Sequence, residues 1–162
     1  MQPYQQYVWS ARYIDAPVLR DKNTDTDGLC DDQRLYYLSD ANFNVTTLVD
    51  TGGDAVERYL YDPYGKVTIQ DGSWSGERTF SSYQNEILYT GREFQTETAL
   101  YYYRGRWYHA PLGRFLSRDP IGYDADDPNL YRMVRNCPLS GVDPLGKQRE
   151  FRHCSRKCGF WH

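Results

Sequence analysis

Several patterns that would indicate a membrane protein, an exported protein or a nucleic-acid-binding protein are missing from this chain of 162 residues. It has no run of about 18 apolar residues, which excludes a membrane-spanning helix, and residues 1–4 lack the charged and apolar regions of a signal peptide. The net charge of −3 argues against nucleic-acid binding, because such proteins usually carry a basic stripe. We therefore expect a soluble chain with no export signal of its own and no nucleic-acid partner.

Cysteine and histidine are scarce, with four and three residues respectively. Cys30 and Cys137 are too scattered for a disulfide framework, and no nucleophile triad, phosphate-cradling glycine loop or H-E-x-x-H motif is present. No motif requires a cofactor. The C-terminal tail (residues 147–162) carries four possible zinc ligands, but their spacing matches no trusted zinc motif, so we interpret it as a variable C-terminal region. These ligands are His153, Cys154, Cys158 and His162.

Tyrosine, by contrast, is abundant, with 16 residues alongside 13 glycines and 8 prolines. Tyrosine rings pack on cross-strand neighbours while the hydroxyl stays in water, and glycine and proline serve the turns between strands. No helical apolar period extends beyond about two turns. The composition therefore predicts an all-β fold in which tyrosine is structural. A sugar-binding or base-stacking surface of tyrosines is the alternative.

The sequence contains an internal repeat. Residues 34–46 (RLYYLSDANFNVT) align with residues 57–68 (ERYLYDPYGKVT), and residues 12–20 are a weaker copy. Each unit reads as strand, turn, strand, because the DPYG turn at residues 62–65 combines a local acceptor, a fixed φ and a glycine that allows positive φ. Gly52 and Gly53 mark the tip of an intervening hairpin. We expect stacked β-hairpins that form a curved sheet.

The repeat and the C-terminal half both resemble one known family. The sequence YLYDPYGKVT is similar to the YD repeat of the Rhs and teneurin family, and residues 89–146 resemble its Rhs repeat-associated core domain. YTGRE, LGRFLSRDPIG, NLYR and DPLG occur in the family's order and spacing, although Ala99 stands where the family usually has glycine and residues 123–128 are a longer connection. The resemblance implies YD-repeat hairpins over residues 6–88, an irregular and partly helical core segment over residues 89–146, and the tail.

The resemblance also implies an architectural function. In this family, YD repeats wind a β-shell around a toxin cargo, and the core segment plugs the shell just before a variable C-terminal toxin. An irregular segment would also blunt the unpaired edge of a spiralling sheet. We therefore expect the end segment of a β-shell, in a truncated family member whose partners are further YD repeats or a longer Rhs protein. The family suggests a secreted or cell-surface location, or the cytoplasm if the chain is expressed as this fragment.

Four arginines alternate with aromatic residues in the core segment. Guanidinium groups stack on rings and bond carboxylates in a fork. We expect some of these arginines to tie the plug to carboxylates of the shell, in preference to forming a ligand site. They are Arg104, Arg106, Arg114 and Arg118.

Two Asp-Pro-x-Gly elements, RDPIGY and VDPLGK, place Asp119 and Asp143 in matching positions. Each element can be a simple turn, with no chemistry attached. The family resemblance implies instead an aspartyl self-protease, acting once in cis, in which one carboxyl is an acid and the other activates water. Cleavage would fall near Gly146 and Lys147. Lysine replaces the leucine usual there, and burying its charge would slow cleavage.

The segment NTDTDGLCDD (residues 23–32) has oxygen-bearing side chains at alternate positions around a glycine. This pattern is close to a calcium loop, with Asn23, Asp25, Asp27 and Asp31 as candidate ligands. Arg34 stands where an EF-hand would need a bidentate glutamate. The alternative is an acidic hairpin tip. Calcium is thus the only cofactor that the sequence suggests, and a calcium- or carbohydrate-binding surface module is the further functional alternative.

Overall fold

The structure is a computed structural model that describes residues 4–25, 27, 29–125, 127–147 and 150–151. Its largest element is an antiparallel sheet of seven strands: β1 (Gln5–Trp9), β2 (Pro17–Lys22), β3 (Gln33–Ser39), β4 (Val45–Val49), β5 (Ala55–Tyr61), β6 (Val67–Asp71) and β7 (Glu77–Arg78). Each strand pairs with the next one along the chain. This succession confirms the predicted all-β fold of stacked hairpins.

The core segment has shorter elements. Its strands are β8 (Glu93–Gln95), β9 (Leu100–Tyr102), β10 (Trp107–His109), β11 (Arg114–Phe115) and β12 (Gly141–Val142), and β12 pairs with β13 (Glu150–Phe151). Strands β8 to β11 form a second antiparallel sheet in chain order. Single 3-10 turns lie at Tyr89–Gly91, Ala110–Leu112, Gly122–Ala125 and Val134–Asn136, as expected of an irregular, partly helical segment. Among the described residues, no helix is long and apolar enough to cross a membrane.

Four hairpin turns of the seven-stranded sheet are stabilised by the same pattern of hydrogen bonds to an aspartate carboxylate. In each turn an aspartate Oδ1 accepts hydrogen bonds from the backbone N–H groups two and four residues later, at 2.8–3.0 Å. The residue three positions after the aspartate has a positive φ, between 60° and 91°. The aspartate that recurs in the sequence is therefore explained by local hydrogen bonding. These aspartates are Asp40, Asp50, Asp62 and Asp71.

Ala99 lies in the hairpin between β8 and β9 with a φ of 56°. This left-handed conformation is strained for a residue with a Cβ and free of cost for glycine. The conformation gives a physical reason for the glycine that the family usually has at this position.

Buried tyrosines fill the space between the seven-stranded sheet and the second sheet. The hydroxyls of Tyr89, Tyr108 and Tyr101 donate to the carbonyls of three successive turn residues, 63, 64 and 65, at 3.0, 2.8 and 2.9 Å. Burial raises the pKa of all three phenols. The expectation that tyrosine hydroxyls stay in water is therefore wrong for this group. Their hydroxyls are instead satisfied by the main chain of the DPYG turn.

A polar layer joins the segment after β7 to the same face of the seven-stranded sheet. Glu57 is fully buried and accepts hydrogen bonds from Arg78, the hydroxyl of Tyr59, and the main chain and side chain of the serines at 82 and 81. Arg20, also fully buried, donates to the carbonyls of residues 83 and 84. Buried charges are tolerated when they are bonded in this way. The layer thus holds residues 81–84 against the sheet.

We predict that Gly65→Ala destabilises the protein much more than Gly53→Ala. Both glycines have a φ of 91°, but a Cβ at Gly65 would lie 2.5 Å from the Tyr89 ring, whereas a Cβ at Gly53 would meet nothing within 4 Å. Each substitution should cost about 1 kcal/mol for the left-handed backbone, and Gly65→Ala about 1–3 kcal/mol more for overpacking. Urea unfolding of the two variants measures the difference, and equal losses would contradict the contact.

Candidate functional site: an arginine and aspartate clasp around residues 143–147

Three arginines and three aspartates meet around residues 143–147. We call these six side chains the clasp, and their formal charges balance. All three aspartate side chains are at most 8% exposed. The members are Asp15, Arg92, Arg104, Arg106, Asp119 and Asp143.

Arg106 brings the two predicted catalytic aspartates together. Its Nη2 lies 3.1 Å from Oδ2 of Asp119 and 2.9 Å from Oδ2 of Asp143. The two carboxylate oxygens are therefore separated by no more than the sum of these distances. Arg106 also stacks on Phe115, with Cζ 3.6 Å from the ring centroid. A cation between two carboxylates offsets the repulsion between their negative charges.

Each of these aspartates also builds its own turn. Oδ1 of Asp119 accepts from the N–H of Ile121 at 3.1 Å, and Oδ1 of Asp143 accepts from the N–H of Lys147 at 3.1 Å. Gly122 and Gly146 have φ values of 60° and 65°. The turn interpretation and the proximity of the two aspartates are thus both present. One oxygen of each carboxylate serves the local turn, while the other faces Arg106.

The arginines of the clasp, together with the N–H of Gly105, hold residues 143–146 through hydrogen bonds to their main-chain carbonyls. The carbonyls of residues 143 and 144 accept from Nη2 of Arg92, and the carbonyl of residue 144 accepts also from Arg104. The N–H of Gly105 donates to the carbonyl of residue 145 at 3.2 Å, and Nε of Arg106 donates to that of residue 146 at 2.6 Å. Four consecutive carbonyls are therefore bonded, while the side chain of Lys147 is exposed. In this arrangement the charge of Lys147 is not buried.

The remaining carboxylate comes from the seven-stranded sheet. Asp15 lies in the loop between β1 and β2, and its side chain is 5% exposed. It pairs with Arg92 at 3.0 Å and with Arg104 at 2.6 Å. Asp15 and Arg92 were not predicted as site residues. The sequence gives only weak signals for them, the partial repeat over residues 12–20 and the YTGRE motif, because the pair is 77 residues apart.

The four arginines singled out in the sequence divide into two pairs. Arg104 and Arg106 belong to the clasp. Arg114 stacks on Tyr131, with Cζ 4.6 Å from the ring centroid, and the Tyr131 hydroxyl raises the pKa of Arg118. Arg104 therefore reaches Asp15, between two strands of the seven-stranded sheet, and Arg106 reaches carboxylates of the core segment. Arg114 stacks on the Tyr131 ring, and Arg118 is hydrogen-bonded to the Tyr131 side chain.

The predicted calcium loop uses its carboxylates for local hydrogen bonds. Oδ1 of Asp25 accepts from the N–H of Asp27 at 3.0 Å, and Oδ1 of Asp27 accepts from that of residue 29 at 2.7 Å. Asn23 is buried and Asp31 is exposed. Within the described ranges, no group of three or more histidine, cysteine, aspartate or glutamate residues could hold a metal ion. Calcium stays a prediction, and the four possible zinc ligands of the tail lie outside the described residues.

The chain is similar in sequence to a toxin subunit and to a tRNA nuclease. No family model matches. The toxin subunit YenC2 of Yersinia entomophaga is 36% identical over 120 residues, which cover 74% of this chain and 12% of that protein. The tRNA nuclease WapA of Bacillus subtilis is 33% identical over 117 residues, which cover 70% of this chain and 5% of that protein.

Solved structures show the same relationship. The crystal structure of TcdB2-TccC3-Cdc42 matches with a TM-score of 0.69 and 28% identity over 88% of this chain and 6% of that one. A Tc holotoxin pore of Photorhabdus luminescens matches with a TM-score of 0.69 and 26% identity over 94% and 7%. The chain belongs to the Rhs family. It carries the Rhs repeat-associated core and is a structural segment of an Rhs-type shell, although it spans 12% or less of these relatives.

We predict that Arg106→Lys destabilises this Rhs segment by about 2–3 kcal/mol, because lysine keeps the charge but cannot bond Asp119, Asp143 and the carbonyl of residue 146 together. Arg114→Lys is the matched control, since the exposed Arg114 stacks on a ring and donates to the carbonyl of its neighbour Phe115, and should cost less than about 1 kcal/mol. Urea unfolding compares the two variants. Similar losses would show that the clasp geometry does not require a guanidinium.

Proposed function

We propose that this chain closes an Rhs-type shell, with the seven-stranded sheet as part of the wall and the core segment as its plug. The observation that carries the proposal is the packing of the core segment over one face of the sheet. Tyr37 and Tyr59 of the sheet belong to the same buried cluster as Tyr89, Tyr101 and Tyr108 of the core segment. Wall and plug therefore share one interior, as a closing element requires.

The edge of the sheet supports a continuation of the wall. Strand β1 pairs with β2 on one side and has no other strand partner among the described residues. An edge strand presents unpaired N–H and C=O groups that a further strand can use. We infer that another YD repeat, from the same or a longer Rhs protein, pairs with β1. The clasp then fixes residue 147, so that a C-terminal cargo starts from a defined point.

A hybrid protein tests the closing role. TccC3 in which residues 4–147 of this chain replace the matching segment should assemble with TcdB2 into a closed shell, as seen by electron microscopy of the purified complex. A hybrid that carries only residues 4–88 is the control and should leave the shell open, because it lacks the plug. The proposal fails if the first hybrid does not close, or if the control closes equally well.

Self-cleavage is the second candidate, because Asp119, Asp143 and the carbonyl of residue 146 converge on one guanidinium group. In this proposal, one carboxylate takes a proton from water as the water oxygen adds to a peptide carbonyl near residues 146 and 147. Arg106 stabilises the oxyanion, the C–N bond breaks, and the proton passes to the leaving amine. Water must first replace one Arg106 contact, so the ion-paired arrangement is the resting form.

The intact mass of the purified chain tests this candidate. The wild type should lose its C-terminal tail, and the mass locates the cleaved bond. Asp119→Asn and Asp143→Asn should stay intact, because an amide can neither take the proton from water nor balance the charge of Arg106. Asp124→Asn is the matched control at an exposed carboxylate and should be cleaved like the wild type. An intact wild type would remove self-cleavage and leave the closing role unaffected.

A further inference from the structure

We propose that Asp15 is a positioning residue, through which the first hairpin of the wall controls residues 143–147 at the end of the plug. The role in cleavage rests on the proposed self-cleavage, whereas the role in fixing the segment does not. Asp15 pairs with Arg92 and Arg104 and acts through these two arginines.

Asp15 balances the charges of two arginines. Its two oxygens lie 3.0 Å from Nη2 of Arg92 and 2.6 Å from Nη2 of Arg104. The side chain of Arg92 is 3% exposed, so water cannot replace a lost carboxylate there. Arg92 therefore keeps its orientation only while Asp15 is in place, and Asp15 also pairs with the partly exposed Arg104.

Arg92 and Arg104 in turn fix the main chain at residues 143 and 144. Both donate to the carbonyl of Pro144, and Arg92 donates also to the carbonyl of Asp143 at 3.0 Å. These carbonyls belong to Asp143 and to the residue after it, and the side chain of Asp143 forms an ion pair with Arg106. Fixing the main chain at residues 143 and 144 therefore fixes the carboxylate. A misplacement of reacting groups by about 1 Å is enough to lower a rate strongly.

The loop between β1 and β2, which carries Asp15, itself packs against the plug. Tyr13 and Ala16 pack with Val142 in a buried cluster, next to a stacking contact between Tyr13 and Phe43. A Cβ at Gly91 would fall 1.6 Å from the carbonyl oxygen of Asp15, so only glycine allows this approach. The loop joins β1 to β2, so the pairing of these strands sets where Asp15 meets Arg92. The end of the plug is thus tied to the first hairpin of the wall.

The test compares Asp15→Asn with Asp21→Asn in the full chain. Asp21 is the matched control, because it lies on the same hairpin, is buried, and pairs with Arg34 away from the clasp. Amide hydrogen exchange, followed by NMR, is measured at Gly105 and Lys147. The N–H of Gly105 donates to the carbonyl of residue 145, and the N–H of Lys147 donates to Oδ1 of Asp143. Asp15→Asn should raise both exchange rates by about tenfold or more, while Asp21→Asn leaves them unchanged. Unchanged rates in Asp15→Asn would overturn the proposal.

A second variant separates positioning from loss of folding. Asp15→Glu keeps the charge and should restore slow exchange, at least in part, and exchange at Tyr59 in the wall reports global stability in every variant. An exchange rate that Asp15→Asn raises at Tyr59 as much as at Lys147 would indicate a global loss of stability. In that case, the proposal is overturned if Asp15→Glu does not restore slow exchange at the N–H of Lys147. Cleavage, where the wild type shows it, should slow by about 100-fold in Asp15→Asn. An uncleaved wild type removes self-cleavage alone, because exchange still decides the role of Asp15.

Discussion

A buried guanidinium shared by two carboxylates is the interaction on which the end of this structure depends. Arg106 bonds Asp119, Asp143 and the carbonyl of residue 146, and it is almost fully buried. Removing any one of these charges would leave an uncompensated charge in the interior. The remaining arginines and Asp15 extend the same balance to the seven-stranded sheet. The clasp therefore joins the wall, the middle of the core segment and its last residues in one charge-neutral group.

The aromatic interior imposes a second constraint of the same kind. The tyrosines between the two sheets are buried, so each hydroxyl needs a partner within the protein. Three of these hydroxyls donate to successive carbonyls of the DPYG turn. The side chain of Asp62 stabilises the same turn by accepting hydrogen bonds from the N–H groups of residues 64 and 66. The turn is thus a local structure that also accepts hydrogen bonds from the core segment. This dual use ties the repeat to the core segment more tightly than apolar packing alone.

The repeated Asp-Pro-x-Gly element shows how one sequence pattern can serve two purposes. Asp62 uses one oxygen to close a hairpin of the wall. Asp119 and Asp143 use one oxygen in the same local way and direct the other to Arg106. The family resemblance predicted that these two aspartates meet, whereas the arginine between them was predicted only as a tie to the shell. Its position changes the chemistry, because the resting pair is bridged by a cation.

The sequence by itself determined the hairpins, since their turns depend on contacts within four residues, such as those of Asp62 with the N–H groups of residues 64 and 66. It also determined the family, through motifs in a fixed order. It did not reveal the pairing of Asp15 with Arg92, the buried Glu57, or the tyrosine hydroxyls on the turn. Such contacts join residues up to 89 positions apart. Local preference carries no information about which distant side chain will share a low-dielectric interior, so only the tertiary structure decided them.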